Sequence, residues 1–126
     1  MAILIVDDST TMRRIVKRCL DEMGHELLEA SDGLQALKII AEKYDRIQLI
    51  ILDLNVQGMT GFEVLQTVRT DPHSKRIPVM MLTSEADQAF VLEALRAGVQ
   101  NYLTKPFDPK VLAAKIQESL MQSAKA

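Results

Sequence analysis

The sequence predicts an α/β fold, a doubly wound sheet of five parallel strands with helices on both faces. The first observation is a set of short apolar segments, of which residues 49–52 (Leu-Ile-Ile-Leu) are the clearest. A continuous apolar segment of this length is typical of a strand that is buried on both faces. The second observation is that five such segments alternate with five stretches of helical periodicity. This alternation implies a parallel sheet with right-handed crossovers.

The size and composition of the chain suit one globular domain. The 126 residues are enough for one core, and we expect residues 1–126 to form a single domain. Hydrophobic residues make up 48% and aromatic residues only 4%, so the core must be aliphatic. The formal net charge of −2 argues against a nucleic-acid binder that works through a global basic field.

The cysteine content and the N-terminal segment indicate the compartment. Cys19 is the single cysteine, so no intrachain disulfide can form and a reducing compartment is natural. The apolar residues 1–6 run into Asp7 and Asp8 too soon for a membrane helix, and no basic segment of a signal peptide precedes them. We therefore expect a cytoplasmic protein without membrane insertion.

The first half of the chain is interpreted as three strands and two helices. Residues 2–6 form the first strand, and good N-cap residues at 7–10 start a helix that Gly24 ends. Residues 26–30 form a more polar edge strand, residues 31–33 a turn, and residues 47–53 the third strand. The apolar face of the first helix is formed by Met12, Ile15, Val16, Cys19, Leu20 and Met23. The second helix presents Leu34, Leu37, Ile40 and Ala41.

The second half continues the alternation after a loop at residues 55–61. Residues 78–82 form the fourth strand and residues 99–103 the fifth, and Asp108-Pro109 begins the last helix. The apolar positions of the third helix are Phe62, Leu65 and Val68. Those of the fourth helix are Ala86, Phe90, Ala94 and Ala97, and Gly98 ends this helix. Those of the last helix are Val111, Leu112, Ile116 and Leu120.

Polar residues follow four of the predicted strands where each strand ends. Asp7 and Asp8 follow the first strand, Asp53 ends the third, Thr83 follows the fourth and Lys105 follows the fifth. Ligands of open α/β sheets bind at this edge. If the strand order is 2-1-3-4-5, as in flavodoxin, the switch point lies between the first and third strands and brings the three aspartates together.

These side chains suit a transferring phosphoryl group. Three neighbouring carboxylates must either raise a pKa or hold a cation, and oxygen donors favour Mg²⁺. Lys105 offers a point charge and Thr83 a hydroxyl for phosphoryl oxygens, while Asp53 lies centrally as a possible nucleophile. Each feature alone is more ordinary: an acidic pair or Thr-Ser is often a helix cap, and Lys-Pro is often a turn. Their joint placement favours a site.

Together these residues resemble a response-regulator receiver domain of the single-domain, CheY-like chemotaxis type. The resemblance covers nearly the whole chain, and Lys105-Pro106-Phe107 is part of it. It implies a flavodoxin-like (βα)5 sheet and a signalling module that catalyses only its own phosphorylation and dephosphorylation. A histidine kinase or phosphotransfer domain would phosphorylate Asp53. Asp8, Asp53 and the backbone carbonyl of Asn55 would bind Mg²⁺, and Asp7 would support that site.

The resemblance also implies a switch. Lys105 would contact the phosphoryl group, Thr83 would move to bond it, and Tyr102 would swing inward into the vacated space. The Lys105-Pro106 bond would be cis. The fourth helix, fifth strand and fifth helix would then bind a downstream target protein.

One departure, one further similarity and one basic cluster belong to the expectations. Val56-Gln57 stands where the family usually has Met-Pro. Asn55 and Glu85 flank the site as they do in some short-lived chemotaxis regulators, so the resemblance implies a phosphoryl group that is lost quickly. The basic cluster of the first helix is by default a solvated face, with docking of the kinase or phosphotransfer domain as the alternative. Its members are Arg13, Arg14, Lys17 and Arg18.

Two other function classes stay open at this point. A Mg²⁺-dependent phosphatase with an aspartate nucleophile would generally need a second aspartate two residues on, where this chain has Asn55. A phosphorylation-independent interaction module would not need the acidic pair, Asp53, Thr83 and Lys105 together.

Overall fold

A five-stranded parallel sheet lies at the centre of the molecule, with helices on both faces. The computed structural model describes residues 1–54, 61–84 and 88–125, with side chains to residue 121. The strands are β1 (Ala2–Val6), β2 (Glu26–Ala30), β3 (Ile47–Leu52), β4 (Val79–Thr83) and β5 (Asn101–Thr104). The helices are α1 (Thr10–Met23), α2 (Gly33–Lys43), α3 (Gly61–Thr70), α4 (Gln88–Ala97) and α5 (Pro109–Lys125), with a short 3₁₀ helix at Tyr44–Arg46.

The strand order is β2-β1-β3-β4-β5, and every pairing is parallel. The predicted fold class and order are therefore confirmed. β1 and β3 are neighbours, so the residues after Val6 and Leu52 emerge side by side at one edge of the sheet. This edge is the C-terminal edge of the strands.

Two apolar layers explain why residues 49–52 of β3 are apolar without interruption. In β3, Ile50 and Leu52 belong to the layer beneath α2, α3 and α4. Leu49 and Ile51 belong to the layer beneath α1 and α5. Because helices cover both faces of residues 49–52, a polar side chain there would be fully buried and would need a hydrogen-bond partner.

The start of α1 and the ends of α1 and α4 lie at the predicted capping residues. The Ser9 hydroxyl accepts a hydrogen bond from the Met12 amide at 3.1 Å and caps α1. Gly24 ends α1 with φ of 80°, and Gly98 follows α4 with φ of 112°. Both angles lie in the left-handed region that favours glycine.

The interpretation of residues 31–34 was wrong in part. Asp32 caps α2 through the Gln35 amide, so the helix begins at Gly33 rather than after a turn. Leu34 is 64% exposed, and the buried positions are Gly33, Ala36 and Ile40. Small residues on this face let α2 approach the sheet closely, which the pattern of large apolar residues did not show.

A similar error affects the later helices and β5. Ala97 and Val111 are exposed, although Ala94, Leu112 and Ile116 are buried as expected. Ala86 lies outside the described residues. β5 begins at Asn101, because the preceding residues form a loop held by side chains rather than a strand.

A groove of about 580 Å³ lies between α1 and α5. Met12, Met23 and Phe107 line it, and the buried Cys19 lies in its wall with Sγ 3.9 Å from the Met23 sulfur. Within the described ranges, no helix is both long enough and apolar enough to cross a membrane.

Candidate functional site

Asp53 directly follows β3 at the C-terminal edge of the sheet. Its amide donates to the Val6 carbonyl at 2.9 Å, which fixes it beside the end of β1. The residue is only 7% exposed. A carboxylate at this position is therefore held by the sheet and is largely buried.

Asp7 is fully buried, and every polar group it carries is engaged. Its amide donates to the Ala30 carbonyl at 3.1 Å, which extends the β1–β2 pairing. Oδ1 accepts from the Ser9 amide at 2.9 Å, and Oδ2 accepts from the Lys105 ammonium at 2.8 Å. Arg13 Nη1 donates to the Asp7 carbonyl at 2.7 Å. These hydrogen bonds hold both the backbone and the side chain of Asp7 in place within the site.

Lys105 bridges two of the carboxylates. Its Nζ lies 2.8 Å from Asp7 Oδ2 and 3.0 Å from Asp53 Oδ2, and the side chain is 18% exposed. Burial alone would lower the pKa of this ammonium, but its hydrogen bonds to Asp7 and Asp53, together with their charges, raise the pKa above its ordinary value. The Lys105-Pro106 bond is cis, as the resemblance implied.

An acidic cluster stands beside this ammonium. Asp7, Asp8 and Asp53 each offer one carboxylate oxygen, and these oxygens lie within 4.8 Å of one another. Three carboxylates and one ammonium carry a formal charge of −2, which a single divalent cation would neutralise. The donors are all oxygen, so they fit a hard cation. Asn55, whose carbonyl is the other expected ligand, lies outside the described residues.

Asp8 differs from its two acidic neighbours. Its side chain is exposed, and in the part of the chain that the structure describes its carboxylate has no hydrogen-bond or ion-pair partner. It is therefore the carboxylate of the cluster that is most available to an incoming ligand.

The expected switch residues lie on neighbouring strands. Thr83 is fully buried at the end of β4, and its carbonyl accepts from the Lys105 amide at 2.8 Å. Tyr102 on β5 is 38% exposed, with Lys115 Nζ 5.8 Å from its ring centroid. Tyr102 thus stands on the outer surface. Val56, Gln57 and Glu85 lie outside the described residues.

The basic cluster of α1 does not form one uniform face. Arg13 is turned toward the site, with a side chain only 16% exposed. Lys17 pairs with Asp21 at 2.9 Å, while Arg14 and Arg18 are exposed. The default interpretation as a solvated face is therefore wrong for Arg13.

Sequence reasoning also missed the role of Gly61. A Cβ atom there would collide with the Leu54 backbone and lie 2.8 Å from the Asp53 carbonyl oxygen. The Gly61 amide donates to the Leu54 carbonyl at 3.0 Å. The start of α3 therefore packs directly on the backbone of the candidate nucleophile. A glycine at a loop end was visible in the sequence, but its packing partner was not.

Comparisons with known proteins agree with this geometry. Residues 3–117 match the family described as "Response regulator receiver domain". The "Chemotaxis protein CheY homolog" of Campylobacter jejuni is 41% identical over 121 residues, which cover 95% of this chain and 92% of the relative. The solved structure of chemotaxis response regulator CheY4 of Vibrio cholerae superposes with a TM-score of 0.87 at 37% identity, covering 94% and 98% of the two chains. The Mn²⁺-bound response regulator Rcp1 superposes with a TM-score of 0.79 at 35% identity, covering 93% and 89%.

Proposed function

The chain belongs to the response regulator receiver domain family and is a CheY-like phospho-acceptor switch of a two-component system, and we propose that Asp53 is its phosphoryl acceptor. The observation that carries this assignment is the Lys105 ammonium 3.0 Å from Asp53 Oδ2, beside the acidic cluster. An ammonium fixed against one carboxylate oxygen is placed for the oxygens of a phosphoryl group on that carboxylate.

Mg²⁺ is the cofactor we assign to the acidic cluster. Asp8 and Asp53 would bind it with the Asn55 backbone carbonyl, and Asp7 would support it. When bound, the ion neutralises charge on the phosphoryl oxygens. The oxygen-only donor set and the charge of the cluster support a hard divalent cation. That Rcp1 was solved with Mn²⁺ also supports this, since Mn²⁺ and Mg²⁺ favour the same oxygen ligands.

The transfer step follows from this arrangement. A carboxylate oxygen of Asp53 attacks the phosphorus of a phosphohistidine, forming an O–P bond as the N–P bond breaks. The imidazole of the donor keeps the electron pair of the broken bond. Lys105 neutralises developing charge on the transferred group, while Asp7 holds the ammonium in place. The product is an acyl phosphate on Asp53.

The switch couples this site to an outer face. Thr83 ends β4 next to Lys105, and Tyr102 stands exposed on the adjoining strand β5. Movement of the Thr83 hydroxyl toward the phosphoryl group would let Tyr102 turn inward and change the α4-β5-α5 face. A downstream target protein that prefers one form then shifts the population of the two states.

The cellular setting is assigned from chemistry and relatives. The donor is a histidine kinase or phosphotransfer domain, and the relatives named as chemotaxis proteins support a role in chemotaxis or motility. The lone, buried Cys19 suits a reducing cytoplasm. One domain, residues 1–126, carries the function.

Uptake of a phosphoryl group from acetyl phosphate tests this assignment. With Mg²⁺, we expect the wild type to gain one phosphoryl group in intact-protein mass spectrometry, and Asp53→Asn to gain none because its amide is not a nucleophile. Beryllofluoride should shift the amide resonances of β4, α4 and β5 in the wild type but not in Asp53→Asn. The matched control is Asp45→Asn, an exposed aspartate before β3, which should behave like the wild type.

Three outcomes would contradict the assignment. Equal uptake by the wild type and Asp53→Asn would place the acceptor elsewhere. No response of the wild type to either reagent would favour a phosphorylation-independent interaction module. Rapid turnover of acetyl phosphate without a retained phosphoryl group or a shift at β5 would favour a phosphatase.

A further inference from the structure

Arg13 reaches from α1 back to the end of β1. Its Nη1 donates to the Asp7 carbonyl at 2.7 Å, and its Nε lies 3.2 Å from Glu29 Oε1 on β2. Nη2 lies 3.5 Å from the Thr10 hydroxyl. The guanidinium thus bridges α1 and two strands at the C-terminal edge of the sheet.

The carbonyl that Arg13 binds belongs to the peptide linking Asp7 to Asp8. The next peptide is held from the other side, since the Ser9 amide donates to Asp7 Oδ1 at 2.9 Å. The backbone of Asp8 is therefore fixed before and after the residue. Its exposed carboxylate, in contrast, is without a partner among the described residues.

We propose that Arg13 is a positioning residue for the metal-binding carboxylate of Asp8. Arg13 fixes the peptide from which Asp8 projects. The backbone of Asp8 is therefore already ordered before its carboxylate binds a metal ion, and binding does not have to restrict it further. The inference rests on the proposed function, because Asp8 is a metal ligand only if the cluster binds Mg²⁺.

The charge of Arg13 acts in the opposite direction to its positioning effect. A cation near the cluster repels a second cation, although Glu29 offsets part of this repulsion at 3.2 Å. If repulsion dominated, Arg13→Gln would bind Mg²⁺ more tightly and Arg13→Lys would bind it equally well. If positioning dominates, both variants bind it more weakly, since neither side chain can bond the Asp7 carbonyl and Glu29 in the same fork.

The test is the affinity of the full chain for Mg²⁺, without any phosphodonor. Because the chain lacks tryptophan, isothermal titration calorimetry and amide chemical shifts replace fluorescence. We expect both variants to bind Mg²⁺ about tenfold more weakly, the lower end of the usual effect of losing a group that orients a metal ligand. The matched controls are Arg76→Lys and Arg76→Gln, at an exposed arginine before β4 on the opposite edge of the sheet, which should match the wild type.

A structural role alone would not give this pattern. The unfolding free energy without Mg²⁺ separates loss of fold from loss of metal affinity, and the Asp8 and Ser9 amide shifts of the metal-free variants report the freed peptide. If Arg13→Gln does not fold, the Mg²⁺ affinity of Arg13→Lys decides between positioning and a purely structural role. Wild-type affinity in the lysine variant, or tighter binding by a folded glutamine variant, overturns the inference. Failure of the wild type itself to bind Mg²⁺ overturns the proposed cofactor and the inference with it.

Discussion

Lys105 neutralises part of the negative charge of the site. Its ammonium contacts Asp7 and Asp53, two carboxylates that would otherwise repel each other in a buried setting. The same ammonium is placed for the phosphoryl group in the proposed transfer. In the proposed transfer, one side chain would therefore stabilise both the fold before the reaction and the charge that develops during it.

The pKa of Lys105 gives a pH-dependent prediction for the metal-free protein. The pKa is raised above the ordinary 10.5. The ammonium's contribution to stability is therefore complete below pH 10.5 and lost as the pH rises through the raised value. We expect Lys105→Met to lower the unfolding free energy by about 1.5–3 kcal/mol near pH 8, as for other bonds to charged groups. Above pH 10.5 this difference should shrink.

Urea denaturation of both proteins at several pH values, with a chelator present, measures this difference. Lys38→Met is the matched control, because Lys38 is exposed on α2. It should leave stability near the wild-type value throughout. A difference for Lys105→Met that stays constant across the alkaline range would show that the ion pairs do not stabilise the fold.

The helix α3 starts directly beneath the candidate nucleophile. Its first residue, Gly61, has no room for a Cβ against Leu54 and the Asp53 carbonyl oxygen. The position of α3 and the position of Asp53 are consequently coupled through direct backbone contact.

Gly61→Ala should therefore disturb both stability and chemistry. The added methyl must displace backbone, which costs about 1–3 kcal/mol of unfolding free energy. We expect slower phosphoryl uptake from acetyl phosphate as Asp53 is displaced from Lys105. Chemical denaturation and time-resolved mass spectrometry measure the two effects.

Gly24→Ala is the control that separates a loss of stability from a slower phosphoryl uptake. Its φ of 80° makes alanine unfavourable by about 1–2 kcal/mol, but no atom lies within 4 Å of the added Cβ. This variant should lose stability and keep the wild-type uptake rate. Equal uptake rates for the two alanine variants would contradict the proposed coupling.

Arg69 holds the other end of α3 in place through hydrogen bonds. Its guanidinium donates to the carbonyls of Gly98 at 2.7 Å and Ile77 at 2.6 Å and to the Gln100 side chain at 2.7 Å. Burial lowers the pKa of Arg69 from its usual range. The loops before β4 and β5 are thereby held together at the edge of the sheet opposite the site.

Charge is unevenly distributed over the molecule as a whole. The net charge is −2, yet Arg14 and Arg18 stand exposed on α1, the helix that follows Asp7 and Asp8. A local basic patch can steer an acidic partner even when the whole protein is weakly acidic. These two residues are the part of the basic cluster that remains suited to docking of the phosphodonor domain.

Reversing these charges tests the docking face. We expect the double variant Arg14→Glu, Arg18→Glu to receive phosphoryl groups from a phosphohistidine domain about tenfold more slowly at low salt, since steering changes association rates by about 10 to 10³. Uptake from acetyl phosphate should not change. The control, Lys38→Glu with Arg76→Glu, makes the same change in net charge at exposed positions elsewhere. An unchanged transfer rate in the first variant would exclude α1 as the docking face.

Much of this architecture follows from local sequence pattern. The apolar segments defined the strands within two residues at each end, and the glycines after α1 and α4 marked their ends. The convergence of Asp7, Asp8, Asp53 and Lys105 followed from parallel topology, because parallel strands present their carboxyl ends at one edge.

Other features could not be predicted because they depend on contacts across space. The sequence places Arg13 on a basic helix face and gives no signal for Arg69, yet both side chains reach backbone carbonyls while their stems cross the helix surface. Leu34 was read as buried because large residues dominate a periodicity pattern, whereas close packing of α2 uses Gly33 and Ala36.

The groove between α1 and α5 contains one thiol whose reactivity can report on the groove. Its wall holds Cys19, which is 7% exposed, and burial raises the pKa of this thiol. Reaction of this thiol with a reagent should therefore be slow and limited by access through the groove. Because no other cysteine competes, the labelling rate of the unmodified chain reports the accessibility of the groove wall between these two helices.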